Sequence, residues 1–165
     1  LEIIRKYLKI KRWLVVGGSW GSTLGIAYAE SNPSKVLGLV LRAVFLGTEA
    51  EVNWAFHTAA YYFKPKMLYQ LNKLLKLKIS MNPIFKLGKM LESEKPEQFC
   101  LAAELWQEYE RNLSTIQNVD FNFSSIFKNN NFSQTRVKNL PNTPFLEWHY
   151  IKNNFFLKKK LVRKK

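Results

Sequence analysis

The stretch Trp13-Leu14-Val15-Val16-Gly17-Gly18-Ser19-Trp20-Gly21 decides the fold of this 165-residue chain. Its first four residues form a continuous apolar run, which is typical of a strand whose sheet is covered on both faces. After Ser19, apolar residues recur at helical spacing until Asn32-Pro33 ends the helix. The sequence therefore predicts a strand, a sharp turn that carries Ser19, and a helix.

The turn has the pattern Gly-x-Ser-x-Gly, from Gly17 to Gly21. Glycines at both ends allow a backbone too tight for side chains, which leaves the Ser19 hydroxyl exposed at the tip. Trp20 follows the serine, and its backbone N–H would stabilise an oxyanion at the N-terminus of the helix. The same pattern occurs in plain structural turns, but the strand before it and the helix after it favour a nucleophile.

This region resembles the nucleophile segment of the prolyl aminopeptidase (proline iminopeptidase) family. The resemblance rests on Gly17 to Leu24, on Ala27-Tyr28-Ala29 and Asn32-Pro33, and on the apolar segment 36–42 as the next core strand. Members of that family are α/β-hydrolase serine peptidases that remove an N-terminal proline from peptides. The resemblance implies an α/β class, with a partial α/β-hydrolase fold followed by a mostly helical cap.

The same resemblance divides the chain and assigns its substrate contacts. It implies an α/β-hydrolase core over residues 1–46, a helical cap over 47–157 and a basic tail over 158–165. In the family, two cap glutamates are associated with gripping the free amino group of the substrate, and they fall on Glu110 and Glu147 of this sequence. For each glutamate the alternative is an exposed helix residue paired with a basic side chain.

A serine hydrolase also needs a base and an orienting carboxylate. The chain offers two histidines, His57 and His149, and one aspartate, Asp120. The resemblance puts His149 in the cap beside Glu147, so packing or hydrogen bonding is preferred over catalysis for it, as for His57. The resemblance also implies that the triad aspartate and histidine follow Lys165 and that the segment supplying the other oxyanion N–H precedes Leu1. We expect an internal fragment with little or no turnover on its own.

Two core strands are readable, around residues 13–16 and 36–42. A two-stranded parallel pair is not a stable core, because its edges and faces stay exposed. The sequence therefore predicts that the isolated chain aggregates.

The formal net charge of +14 raises the question of an anionic partner. The tail 158–165 is the one dense basic cluster and could hold phosphate, but a solvated helix end is preferred because no nucleic-acid module pattern accompanies it. Between the lysines of 66–90, an apolar stripe is interpreted as packing within the cap rather than as a membrane-surface helix. Neither nucleic acid nor a membrane is expected as a partner.

The remaining composition excludes several classes of site. The single cysteine, Cys100, cannot form an internal disulfide and fits a reducing cytoplasm. No histidine–cysteine cluster indicates a metal site, so neither a metal nor a cofactor is expected.

Three functions stay open from the sequence. The first is a prolyl aminopeptidase acting on peptides with an N-terminal proline. The second is another α/β-hydrolase, such as an esterase, that shares the serine turn but does not use Glu110 and Glu147 to hold an ammonium. The third is a non-enzymatic basic protein that keeps the turn by descent alone. The oligomeric state is not predicted.

Overall fold

The structure of the chain is a computed structural model that describes residues 1–116, 121–128 and 133–157. Asp120 and the basic tail 158–165 lie outside the described residues. The chain forms two compact units. One unit contains Leu1–Glu51 and the segment that starts at Asn154, and the other contains Val52–Asn153.

The first unit is a strand–helix–strand arrangement preceded by a short helix. Its elements are α1 (Glu2–Tyr7), β1 (Trp13–Ser19), α2 (Trp20–Ser31), a 3₁₀ turn (Pro33–Lys35) and β2 (Val36–Val44). β1 and β2 pair in parallel, with Val16 opposite Val40, and α2 forms the crossover between them. The predicted strand, turn and helix are confirmed, and both strands are longer than the apolar runs that indicated them.

The two faces of this small sheet differ. α2 lies over one face, where a Cβ placed on Gly25 would be 3.4 Å from Val15 Cγ1. On the opposite face Leu14, Val16 and Val40 are 56%, 71% and 52% exposed. The exposed apolar face expected for two strands is confirmed, and aggregation of the isolated chain stays a prediction.

The remaining elements are helical. They are α3 (Glu49–Asn53), a π-helical turn (Trp54–Thr58), α4 (Ala59–Phe63), α5 (Pro65–Leu74), α6 (Pro83–Leu91), α7 (Pro96–Leu113), α8 (Phe123–Lys128), α9 (Gln134–Lys138), α10 (Thr143–Lys152) and a second 3₁₀ turn (Asn154–Phe156). Three of these helices begin with proline, whose missing N–H has no partner to lose in the first turn.

The core of the second unit surrounds α7. Trp106 and Tyr109 on this helix are fully buried, and the Tyr109 hydroxyl donates a 2.6 Å hydrogen bond to the Phe56 carbonyl in the π-helical turn. The apolar stripe of 66–90 divides between two helices, and its members Met67 and Leu71 are also buried. This burial supports the packing interpretation of the stripe. Among the described residues, no helix is long and apolar enough to cross a membrane.

Candidate active site

Ser19 lies at the junction between β1 and α2, and its side chain is exposed. Its backbone has φ 54° and ψ −121°. A positive φ is rare for a residue with a Cβ, and holding it costs on the order of 1–3 kcal/mol. No hydrogen bond joins the Ser19 hydroxyl to another described residue of its unit, and the side chain does not cap α2. The turn thus holds a serine hydroxyl at a helix N-terminus in a strained conformation.

The two glycines of the turn have different roles. A Cβ on Gly17 would lie 2.2 Å from the Gly21 carbonyl oxygen, a backbone atom that cannot move aside. A Cβ on Gly21 would meet no described atom within 4 Å. The expectation that both positions are too tight for a side chain is therefore right for Gly17 and wrong for Gly21. The Cα of Gly17 faces the carbonyl group of Gly21, whereas the Cα of Gly21 faces space that is free of described atoms.

Two hydroxyls after the turn fix the start of α2, and the sequence reasoning assigned no role to them. Buried Ser22 donates to the Ser19 carbonyl at 2.6 Å and accepts from the Phe45 N–H at 2.9 Å. Thr23 donates to the Phe45 carbonyl at 2.6 Å. These bonds connect the helix N-terminus to the residue that follows β2. Serine and threonine in the first turn of a helix were the available signal.

Trp20 belongs to an aromatic cluster at the same end of the unit. Its ring centroid lies 5.4 Å from that of Phe45 and 5.0 Å from that of Phe155, and the Phe45 and Phe155 centroids are 5.3 Å apart. Such separations are typical of favourable aromatic packing. The cluster anchors the residue whose backbone N–H was predicted as an oxyanion donor.

Glu110 and Glu147 come together in the second unit. Glu110 lies on α7 and Glu147 on α10, and their carboxyl groups are hydrogen-bonded to each other. Trp106, one helical turn before Glu110, donates its indole N–H to Glu147 Oε2 at 2.8 Å. Burial raises the pKa of Glu110, while the hydrogen bond with Glu147 acts in the opposite direction. The alternative of an exposed glutamate does not fit Glu147, which is 7% exposed.

This carboxyl pair can bind a cation. A buried carboxyl group in contact with a partly buried one cannot ionise together with it without compensation, and a positively charged nitrogen supplies that compensation. Trp106 fixes one of the carboxylates without adding charge. The family resemblance identified the two glutamates and included Trp106 in the matching segment, but it assigned the tryptophan no role; its spacing of four residues from Glu110 was the available signal.

Both histidines belong to the second unit, and Ser19 belongs to the first. His57 Nε2 lies 3.0 Å from the Ile79 carbonyl oxygen, a contact that fits the structural role expected for it. His149 follows Glu147 on α10, and its ring packs edge-on against Tyr150 with centroids 6.0 Å apart. No cluster of three or more histidine, cysteine, aspartate or glutamate side chains able to hold a metal occurs in the described part of the chain.

Comparison with known proteins places these features in context. A family model described as the alpha/beta hydrolase fold matches residues 1–112. A proline iminopeptidase of Arabidopsis thaliana is 36% identical over 136 residues, which cover 77% of this chain and 36% of that protein. A probable proline iminopeptidase of Leptolyngbya boryana is 31% identical over 156 residues, covering 94% of this chain and 46% of that protein.

A shorter match of higher identity involves a proline iminopeptidase of Neisseria gonorrhoeae, which is 54% identical over 54 residues, 33% of this chain and 17% of that protein. The chain thus spans 36% and 46% of the length of the two relatives that match most of it.

Proposed function

Because the chain belongs to the α/β-hydrolase fold family, we propose that it carries the nucleophile and the amine-binding residues of a prolyl aminopeptidase. The observation that carries this proposal is the conformation of Ser19. A strained, exposed serine between a parallel strand and a helix is the arrangement that nucleophilic catalysis requires in this fold. The similarity to proline iminopeptidases over most of the chain supports the choice of substrate.

In the proposed reaction, Ser19 Oγ attacks the carbonyl carbon of an N-terminal proline. A bond forms between Oγ and that carbon, the bond to the next peptide nitrogen breaks, and the shortened peptide leaves with a proton on its amine. Water then hydrolyses the prolyl ester, which releases proline and restores the hydroxyl. The backbone N–H of Trp20 stabilises the negative oxygen of each tetrahedral intermediate, a contribution of about 3 kcal/mol per donor in comparable sites.

Glu110 and Glu147 select the free N-terminus in this proposal. The ring nitrogen of an N-terminal proline is a cation with two N–H donors, so it can donate to both carboxyl groups at once. Burial makes these charge-assisted bonds strong. In the absence of a substrate, the same burial makes it unfavourable for both carboxyl groups to be ionised, so that one proton shared between them stabilises the pair. A peptide with a blocked N-terminus offers no such cation.

The proposed mechanism also requires a base to take the Ser19 proton. We assign this role to neither histidine of the chain, because His57 contacts a backbone carbonyl and His149 neighbours the proposed amine site. The proposal places the enzyme in the cytoplasm, since its one cysteine, Cys100, is buried and free.

The test compares proline p-nitroanilide with its N-acetylated form, using protein captured from its own cells and measuring its intact mass on the same sample. We expect hydrolysis of the free-amine substrate to exceed that of the blocked one by about 100-fold or more, since two charge-assisted bonds are lost. Ser19→Ala in the same gene is expected to lower kcat by about 10⁴-fold or more. Equal hydrolysis of both substrates would contradict the selection of a free N-terminus by Glu110 and Glu147.

The glutamates are tested by Glu110→Gln and Glu147→Gln. Each change is expected to raise KM for proline p-nitroanilide by about tenfold or more, because a neutral amide replaces a charged acceptor. The matched control is Glu97→Gln, an exposed position in the first turn of the same helix. An equal effect of all three substitutions contradicts the assigned amine site while leaving the Ser19 assignment standing.

A further inference from the structure

The first unit contains an open concavity of about 520 Å³ at the edge of the sheet where both strands begin. It is lined by the turn before β1 and by the 3₁₀ turn before β2, which parallel pairing brings side by side. No acidic residue is among the described residues that line it. Six of its eight lining residues are basic, namely Arg5, Lys6, Lys9, Lys11, Arg12 and Lys35. We call this concavity the basic cradle.

Arg5 holds the backbone of the cradle in place. It is 7% exposed, and its guanidinium donates to both carboxylate oxygens of Glu2 at 2.7 and 2.8 Å. The same group donates to the carbonyl oxygens of Ile10 at 2.5 Å and Lys11 at 3.3 Å. Lys9 closes the turn with φ 54°. The turn that presents the lysines is therefore fixed by bonds inside the unit rather than by the lysines themselves.

The support for Arg5 extends to the strand and the crossover helix. The Tyr28 hydroxyl on α2 donates to Glu2 at 2.5 Å and accepts from the Trp13 indole N–H at 3.0 Å. A charged pair that is also bonded to two aromatic side chains is held more rigidly than an isolated surface pair. The floor of the cradle is thus tied to α1, β1 and α2.

The charge of the cradle is not compensated. Glu2 neutralises Arg5, and Arg12 donates to the neutral Val36 carbonyl at 3.3 Å. In the described part of the chain, none of the five other cations of the cradle pairs with a carboxylate. In the second unit, Arg111, Arg136 and Lys152 each pair with a glutamate. Like charges concentrated in one concavity repel each other, and a bound polyanion relieves that repulsion.

We propose that the basic cradle binds a short chain of phosphate groups on a small molecule. Ammonium groups only donate hydrogen bonds, which suits the acceptor oxygens of phosphate. No aromatic residue is among the described lining residues, so the site offers nothing on which a nucleic-acid base could stack. The site is separate from the proposed peptidase chemistry and does not depend on it.

The test is calorimetric titration of inorganic tripolyphosphate into the full chain at low ionic strength. The double variant Lys11→Gln/Lys35→Gln removes one cation from each wall of the cradle. We expect it to weaken binding at least tenfold, because each lysine loses a charge-assisted hydrogen bond. The control variant Lys73→Gln/Lys86→Gln removes the same charge from exposed positions of the second unit. It is expected to change the affinity less than about twofold, because salt screens charges that lie outside the site. Orthophosphate is expected to bind at least tenfold more weakly than tripolyphosphate.

Three results overturn the proposal: equal losses in both double variants, equal affinity for orthophosphate and tripolyphosphate, or a single-stranded oligonucleotide that outcompetes tripolyphosphate at equal phosphate concentration. The first assigns the binding to net charge, and the third assigns the surface to nucleic acid. Lys11→Arg/Lys35→Arg keeps both charges and is expected to retain binding. Circular dichroism of each variant verifies that its fold is intact.

Discussion

The two units of the molecule stabilise themselves in different ways. In the second unit, α5, α6 and α7 bury whole side chains such as Leu71, Leu87 and Leu105. In the first unit, one face of the sheet leaves Leu14 and Val16 largely exposed. A helix can bury its apolar stripe against other helices of the same segment, whereas a parallel strand needs partners on both edges and both faces. Among the described residues, each strand of the sheet is paired along one edge, and helix α2 covers one face of the sheet.

The candidate functional groups follow the same division. Ser19 is held by backbone geometry, with the Ser22 hydroxyl and the approach of Gly17 to Gly21 fixing the turn. Glu147 is buried among packed helices and accepts a hydrogen bond from the Trp106 indole N–H. Backbone geometry and a hydroxyl therefore position Ser19, whereas burial between helices and one indole N–H position Glu147.

Replacing a buried leucine tests this difference most directly. Leu105→Ala is expected to lower the free energy of unfolding by about 2–5 kcal/mol, because it leaves a cavity in a fully packed core. Leu14→Ala, on the exposed sheet face, is expected to cost less than about 1 kcal/mol. Urea unfolding gives both values, and hydrogen exchange of peptides from each unit localises the loss. Equal costs would mean that the face around Leu14 is covered in solution.

The glycines provide a second, smaller contrast. A Cβ on Gly88 would lie 2.3 Å from the Trp148 ring, so Gly88→Ala is expected to cost about 1–3 kcal/mol through overpacking. Gly21→Ala meets no described atom and lies in the first turn of α2, so it is expected to be neutral or to stabilise by less than about 1 kcal/mol. Thermal unfolding of the two variants measures the difference. A destabilising Gly21→Ala would show that the turn is as tight there as at Gly17.

The part of the fold that the sequence predicts is the part with a local signal. A four-residue apolar run, the Gly-x-Ser-x-Gly pattern and Asn32-Pro33 determine β1, the turn and α2 within a short stretch. The strands extend to Ser19 and Val44 because parallel pairing adds hydrogen bonds beyond the apolar residues. The pairing of the two strands is a tertiary contact, and the spacing of apolar residues along the sequence does not predict it.

The unpredicted parts of the candidate sites depend on distant contacts. Ser22 and Thr23 bond to Phe45, whose position is set by the end of β2. The basic cradle combines the turn before β1 with Lys35, and only the pairing of the two strands brings these together. Spacing along the chain could not reveal either arrangement. It also could not reveal the contact between Glu110 and Glu147, which the resemblance identified as separate residues.

A change of pH is expected to alter the stability of the two units in opposite directions, through Glu2 in the first unit and Glu110 in the second. The hydrogen bond from Arg5, with a second from Tyr28, lowers the pKa of Glu2 from 4.5 to about 2. Its stabilising contribution is therefore present above pH 4.5 and is lost as the pH falls through about 2. Glu2→Gln is expected to destabilise the first unit at pH 7 and to have no effect near pH 2. Unfolding midpoints in urea across this range provide the measurement.

Glu110 has the opposite sign, because burial raises its pKa above 4.5. The folded chain then retains a proton that the unfolded chain releases, so stability decreases as the pH rises from 4.5 through the folded-state pKa. Glu110→Gln is expected to stabilise the second unit at pH 7 and to be neutral below pH 4.5, while Glu97→Gln changes stability by less than about 0.5 kcal/mol throughout. If Glu110→Gln instead destabilises at pH 7, a cation already compensates Glu110 in the free protein. The carboxyl pair would then not require a substrate amine to compensate its charge, and the stabilities of the two units would not respond to pH in opposite directions.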